Sequence, residues 1–183
     1  EFEGADKISG LAMSDTILKR REGCYACAIR CKRAVEVNNE VYTVNPRYGG
    51  PEYECLASFG SLCGNDDLES IAKAHELCNR YSIDVISAGA TIAFAIECYE
   101  KGILSIEDFD GMEVSYGDSK AILTLIEKIA KREGIGDLLA EGSSRAAKII
   151  GKGAKSIAMT VKNQELPMHD PRGKVGVALS YVI

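Results

Sequence analysis

From residue 52 to residue 150 the chain repeats one pattern, apolar residues three and four apart between polar caps and closing glycines, and that pattern commits it to packed helices. Residues 52–63 are apolar at helical spacing and stop at Gly64. Asp66 and Asp67 offer N-caps to a helix carrying Leu68, Ile71, Ala74, Leu77 and Cys78. Residues 84–101 read as a helix that is small and apolar on much of its surface, with Gly102 closing it. Asp118 caps another, built on Ala121, Ile122, Leu125, Ile126 and Ile129 and closed by Gly134, and residues 138–150 form one more. Outside this block, residues 14–21 read as a short capped helix ended by Gly23. Residues 35–37 and 41–44 alternate around Asn38-Asn39-Glu40 as a hairpin, residues 154–161 suit a strand, and residues 163–173 form a loop rich in functional residue types. The expected class is mainly α, with a small β-hairpin.

A length of 183 residues fits one domain, or one and part of another. Twenty-two basic against 27 acidic side chains leave a net charge of −5, which argues against a nucleic-acid or anionic-membrane partner. With 46% hydrophobic and 27% charged residues, the composition is that of a folded protein. No apolar run reaches the roughly 18 residues of a membrane span; the longest, residues 85–96, is broken by Ser87, Gly89 and Thr91. The N-terminal Glu1-Phe2-Glu3-Gly4 is acidic, unlike a secretory signal, so a cytoplasmic protein is expected. The chain starts without Met and finishes on an apolar stretch, residues 175–183, which suggests a piece of a longer polypeptide.

Seven cysteines suit disulfides only in small secreted domains, so metal ligation is the first reading for those that lie close together. Cys24, Cys27 and Cys31 form C-x2-C-x3-C, a spacing that can wrap one corner of a soft-metal centre. A [4Fe–4S] cluster commonly takes three ligands from one loop and one from afar; zinc, the rival, usually wants a second C-x2-C pair or nearby histidines, and neither is here. Arg30, Lys32 and Arg33 would favour thiolates and an anionic cluster. Cys55, Cys63, Cys78 and Cys98 fall at helical positions and read as small buried hydrophobes, while His75, amid polar residues, reads as a surface histidine.

The order of motifs is more specific than any one of them. Residues 2–10 (FEGADKISG), the cysteine loop, Gly50-Pro51-Glu52-Tyr53-Glu54, residues 79–84 (NRYSID) and residues 165–172 (ELPMHDPR) together resemble the tungsten-containing aldehyde ferredoxin oxidoreductases over essentially the whole chain. The resemblance implies the multi-helix fold of that family's second and third domains, with residues 1–155 as a central helical domain and residues 156–183 as the start of the next. It also implies a tungsten (or molybdenum) bis-pterin and a [4Fe–4S] cluster held in part by Cys24, Cys27 and Cys31. The fourth ligand would come from a later D-x-x-G-L-C segment beyond Ile183, so this piece alone is expected to hold little cluster and to be inactive.

On the same ground Asn79 and Asp84 are pterin contacts. Asn79 stands where the family pattern has Asp, and Ser82 where it has Gly. Asn79 can hydrogen-bond without carrying charge, and Asp84 also suits a helix N-cap. Glu54 and His169 match a carboxylate and an imidazole beside the metal, suited to moving the two protons released when an aldehyde is oxidised. Glu52 and Glu165 are weaker carboxylate candidates. The implied activity is oxidation of a small aldehyde to a carboxylic acid, with electrons leaving through the cluster to ferredoxin; a homodimer is consistent with it. Family relatives that reduce acids or aromatic thioesters, and a non-catalytic iron–sulfur or zinc module, are the alternatives.

Overall fold

The computed structural model describes residues 2–183; Glu1, counted in the central domain, lies outside the described residues. Its elements run α1 (Gly10–Thr16), β1 (Leu18–Glu22), β2 (Lys32–Val35), β3 (Val37–Asn38), β4 (Thr43–Val44), α2 (Tyr53–Phe59), α3 (Leu68–Tyr81), α4 (Val85–Glu100), α5 (Ser119–Lys131), α6 (Ile135–Leu139), α7 (Ser143–Ile150), β5 (Thr160–Val161), β6 (Gln164–Glu165) and α8 (Val175–Val182). The strands form three separate antiparallel pairs, β1 with β2, β3 with β4 and β5 with β6, so the fold is mainly α as the pattern requires. No single described helix is long and apolar enough to cross a membrane.

The core is helical because the caps and stripes agree. Asp67 accepts from the Glu69 and Ser70 amides, Asp84 from Ser87 at 2.7 Å and Asp118 from Ala121 at 3.0 Å, each satisfying donors that a helix start leaves open. The α5 helix buries one stripe, Ala121, Ile122, Leu125, Ile126 and Ile129. The α4 helix is buried over most of its surface and forms the centre, with Ile92, Ala95 and Ile96 fully enclosed. A Cβ at Gly89 would stand 2.6 Å from the Ser58 Cβ, so only glycine lets α4 pack this closely on α2. That contact couples the helix that carries Glu54 to the helix that Asp84 starts. From Ala158 to Ile183 no residue is fully buried.

Three local expectations need correction. The segment 14–21 is not one helix: α1 starts earlier, at a Ser9 cap, and β1 pairs with β2 from Glu22↔Lys32 to Leu18↔Val35. The ladder overrides the helical propensity of Lys19-Arg20-Arg21, and it makes the cysteine segment the connection of a hairpin. Residues 138–150 are two helices, because Gly142 takes a left-handed φ of 81° between α6 and α7. Residues 154–161 hold a 3-10 turn, Ala154–Ser156, and only two strand residues, Thr160–Val161.

Candidate active site

Glu54 lies in the first turn of α2, where a carboxylate is favoured by the helix dipole. Burial of Cys55, Ser58 and Phe59 against the core leaves Glu54 half-buried at the mouth of the helix. His169 comes from the other end of the chain, in a loop stiffened by Pro167 and Pro171. The two meet: His169 Nε2 lies 3.0 Å from Glu54 Oε1. Glu54 Oε2 accepts the Met168 backbone N–H at 2.8 Å, so both carboxylate oxygens are engaged. Tyr53 completes the group, its ring stacked on the His169 imidazole at 4.9 Å and 22°, its hydroxyl donating to the Met168 carbonyl at 2.7 Å. Neighbouring Asp170 caps the next turn by accepting from the Arg172 amide, and the Arg172 guanidinium holds its carboxyl below the usual carboxylate range. Tyr53 stands inside a motif that the sequence singles out, but nothing local marks it as a partner of a histidine so distant in the chain.

Glu165 is a structural carboxylate. Its Oε1 accepts the Ser143 amide and hydroxyl, both at 2.7 Å, at the start of α7. Burial works to raise its pKa, but hydrogen bonds from Ser143, from its own backbone amide and from Ser87 together outweigh that and leave the carboxyl lowered. The α7 start and the loop before His169 are thereby pinned together. Asp84, Ser87, Gln164, Glu165 and Pro167 line a cavity of about 440 Å³ that ends two residues short of His169. Tyr181 of α8 closes its far side, and its hydroxyl is buried without a hydrogen-bond partner. Sequence pattern alone gives no signal for Tyr181, because it sits in an apolar run that reads as an unfinished helix.

Asn79 and Asp84, five residues apart, open onto different cavities. Asn79 lines a second depression of about 330 Å³ with Lys32, Arg33, Arg47, Glu52 and His75. Three cations there face two carboxylates, Glu22 and Glu52. The Asn79 amide already donates to the His75 carbonyl at 2.9 Å. His75 is not the surface residue expected. It is mostly buried, and its Nε2 sits 3.1 Å from the Tyr48 carbonyl. The Tyr48 carbonyl only accepts and the Asn79 amide, 3.1 Å from the same Nε2, only donates, so the two contacts ask for opposite tautomers, and Nδ1 is buried without a partner. Burial pulls the imidazole below its ordinary value, more than the Tyr48 contact raises it. Ser82 ends α3 at φ 57°, the left-handed region in which the family pattern's glycine costs nothing.

The three loop cysteines are free thiols; Cys24 and Cys31 are exposed and Cys27 is partly covered. Left-handed turns at Ala26 and Arg30 fold the loop back, and Gly23 lies so close to Arg30 that a Cβ there would meet its Cα at 3.1 Å. Cys24 and Cys27 line an open depression of about 360 Å³ with Arg30. The Arg30 and Ile29 amides directed at the Cys27 sulfur hold its thiol below the ordinary value. The donors therefore fit a soft-metal cluster in kind, yet among the described residues no three His, Cys, Asp or Glu side chains converge on one point. The other four cysteines are buried in the core, where burial raises Cys55 and takes Cys63 and Cys78 to about 12 and Cys98 to about 11. They stay protonated and pack as small hydrophobes.

A family model for aldehyde ferredoxin oxidoreductase, domains 2 and 3, matches residues 1–183. A tungsten-containing aldehyde ferredoxin oxidoreductase of Pyrococcus furiosus is 44% identical over 174 residues, covering 94% of this chain and 28% of that protein. One from Thermococcus kodakarensis is 41% identical over 181 residues, 98% of this chain and 29% of that protein. The WOR-like subunit of a P. furiosus aliphatic sulfonate oxidoreductase is 30% identical over 190 residues, 100% of this chain and 30% of that protein. Among solved structures, the active site complex BamBC of benzoyl coenzyme A reductase with 1,5-dienoyl-CoA matches with a TM-score of 0.73 and 28% identity, over 90% of this chain and 24% of that one. The chain thus spans less than a third of the length of the relatives it matches.

Proposed function

The chain belongs to the aldehyde ferredoxin oxidoreductase family, and from that premise we propose that it forms the proton-handling wall and part of the cluster site of an enzyme that oxidises small aldehydes to carboxylic acids and passes electrons to ferredoxin. The observation that carries this reading is the Glu54–His169 pair, two titratable side chains from distant parts of the chain brought to 3.0 Å and open enough for a small molecule to reach. A pterin-bound tungsten or molybdenum would supply the two-electron redox chemistry and a [4Fe–4S] cluster the electron exit. The protein's own part is protonic. Glu54 Oε1 and His169 Nε2 lie 3.0 Å apart, so a proton released at the substrate can be taken by the pair and passed to solvent. Asp84, and Asn79 in the mixed-charge depression, would hold polar parts of the cofactor.

Cys24, Cys27 and Cys31 would hold three corners of the cluster. The remaining cysteines are buried, so on this reading the fourth ligand is the later D-x-x-G-L-C cysteine that the family resemblance implies. The activity proposed is therefore that of the whole polypeptide, with residues 1–155 as its central domain and residues 156–183, none fully buried after Ile157, as the edge of the next. Glu54→Gln in the full-length enzyme is expected to cut aldehyde turnover about 10²-fold or more, as for a lost acid–base group. Turnover at the wild-type rate would remove Glu54 from the chemistry. The second reading, reduction of an aromatic thioester, is favoured by the likeness to the benzoyl coenzyme A reductase complex. The higher identity to the aldehyde enzymes ranks it below.

A further inference from the structure

We propose that Tyr53 is the positioning residue of the Glu54–His169 pair, fixing the imidazole through its ring and the preceding peptide through its hydroxyl; the inference rests on the proton-handling reading above. An imidazole in a surface loop, with 42% of its side chain exposed, would ordinarily sample several rotamers. Here three contacts remove that freedom. The Tyr53 ring covers one face of His169 at 4.9 Å. The Tyr53 hydroxyl holds the Met168 carbonyl, which belongs to the peptide unit leading into His169. Glu54 holds the other side of Met168 through its backbone N–H.

Tyr53 and Glu54 are consecutive residues of one helix, so their side chains diverge by roughly 100° and straddle the loop. Both are anchored in α2, whose buried face is locked against α4 at Gly89. The loop is therefore gripped by a rigid element, and the imidazole Nε2 is brought to 3.0 Å from Glu54 Oε1. The stack supplies orientation that the Nε2 contact with Glu54 does not, since a single contact at Nε2 lets the ring rotate about it. Geometry held in this way is what proton transfer between paired groups needs.

The test has two arms. His75 and His169 are the only histidines of the chain, so 15N-imidazole NMR can follow the Nε2 proton of His169, 3.0 Å from Glu54 Oε1, directly. Protection of that proton from exchange is expected to fall in the order wild type, Tyr53→Phe, Tyr53→Leu, because the first change removes the hydroxyl and the second also the ring. Identical protection in all three overturns the proposal. Tyr53 is 56% exposed, so thermal unfolding should be nearly unchanged in both variants.

In the full-length enzyme, Tyr53→Leu is expected to lower kcat about 10-fold or more with little change in KM, as for a small misplacement of a catalytic group, and Tyr53→Phe to restore most of it. A wild-type kcat for Tyr53→Leu, or a loss confined to KM, overturns the positioning role. Intact turnover in Glu54→Gln would instead sink the functional reading, while the NMR arm still decides whether Tyr53 holds His169.

Discussion

Glu54 and His169 meet at 3.0 Å through contacts that tie two distant parts of the chain, whereas Cys24, Cys27 and Cys31 lie within eight residues of one another and do not converge. Proximity in sequence did not assemble the thiols, and distance in sequence did not keep the pair apart. The difference lies in what satisfies each group. Glu54 and His169 are satisfied by other protein atoms: the Met168 amide, the Tyr53 ring and each other. The loop thiols meet only backbone amides, directed at Cys27, and otherwise face solvent. A site whose partners are protein groups is preformed by folding, whereas the proposed cluster site would be completed only by the cluster itself.

The largest expected contrast is in reactivity. At about pH 7.5, iodoacetamide should alkylate Cys27 at least ~10³-fold faster than Cys63 or Cys78, since thiolate content and access both favour the loop. Peptide mapping after timed quenching checks this, and comparable rates would erase the distinction between loop and core thiols. The same buried thiols set an alkaline limit. They titrate at an ordinary 9.0 when unfolded but only at about 12 in the fold, so the folded state keeps protons that the unfolded state loses. Stability is therefore complete below about pH 9 and falls as pH climbs toward 12, which urea titrations at stepped pH will register.

Next in size, Gly89→Ala should destabilise by about 1–3 kcal/mol, because the added methyl has no room against Ser58. It should also loosen the Glu54–His169 pair while leaving the loop thiols as reactive as before, a joint result of denaturant melts and alkylation. Ser82→Gly should gain roughly 0.5–1 kcal/mol by relieving a left-handed φ of 57°, measured as a higher urea midpoint. Smallest of all, changing Cys24, Cys27 and Cys31 together to Ser should shift the stability of the cluster-free chain by no more than about 0.5 kcal/mol, since none is buried. A loss of several kcal/mol would show that the loop is part of the core after all.

Much of this was legible in the residues. The caps at Asp67, Asp84 and Asp118, the stripes of α3 and α5 and the burial of the four core cysteines all follow from local pattern. What local pattern could not carry was pairing across distance. Lys19-Arg20-Arg21 became a strand because Lys32–Val35 lies alongside, and residues 138–150 broke because Gly142 turns beside Glu165. His75 looked polar and exposed because the Tyr48 loop that covers it is remote in sequence. Glu54 and His169 were identifiable as candidates from motif order, while their contact, and the part played by Tyr53, exist only in three dimensions.

The most direct measurement is anomalous diffraction from crystals of the full-length enzyme, collected at the tungsten and iron edges. The account expects the tungsten peak beside the Glu54–His169 pair and the iron peak enclosed by Cys24, Cys27 and Cys31. A heavy-atom peak remote from Glu54 and His169, or a zinc signal in place of iron at the three thiols, would contradict it.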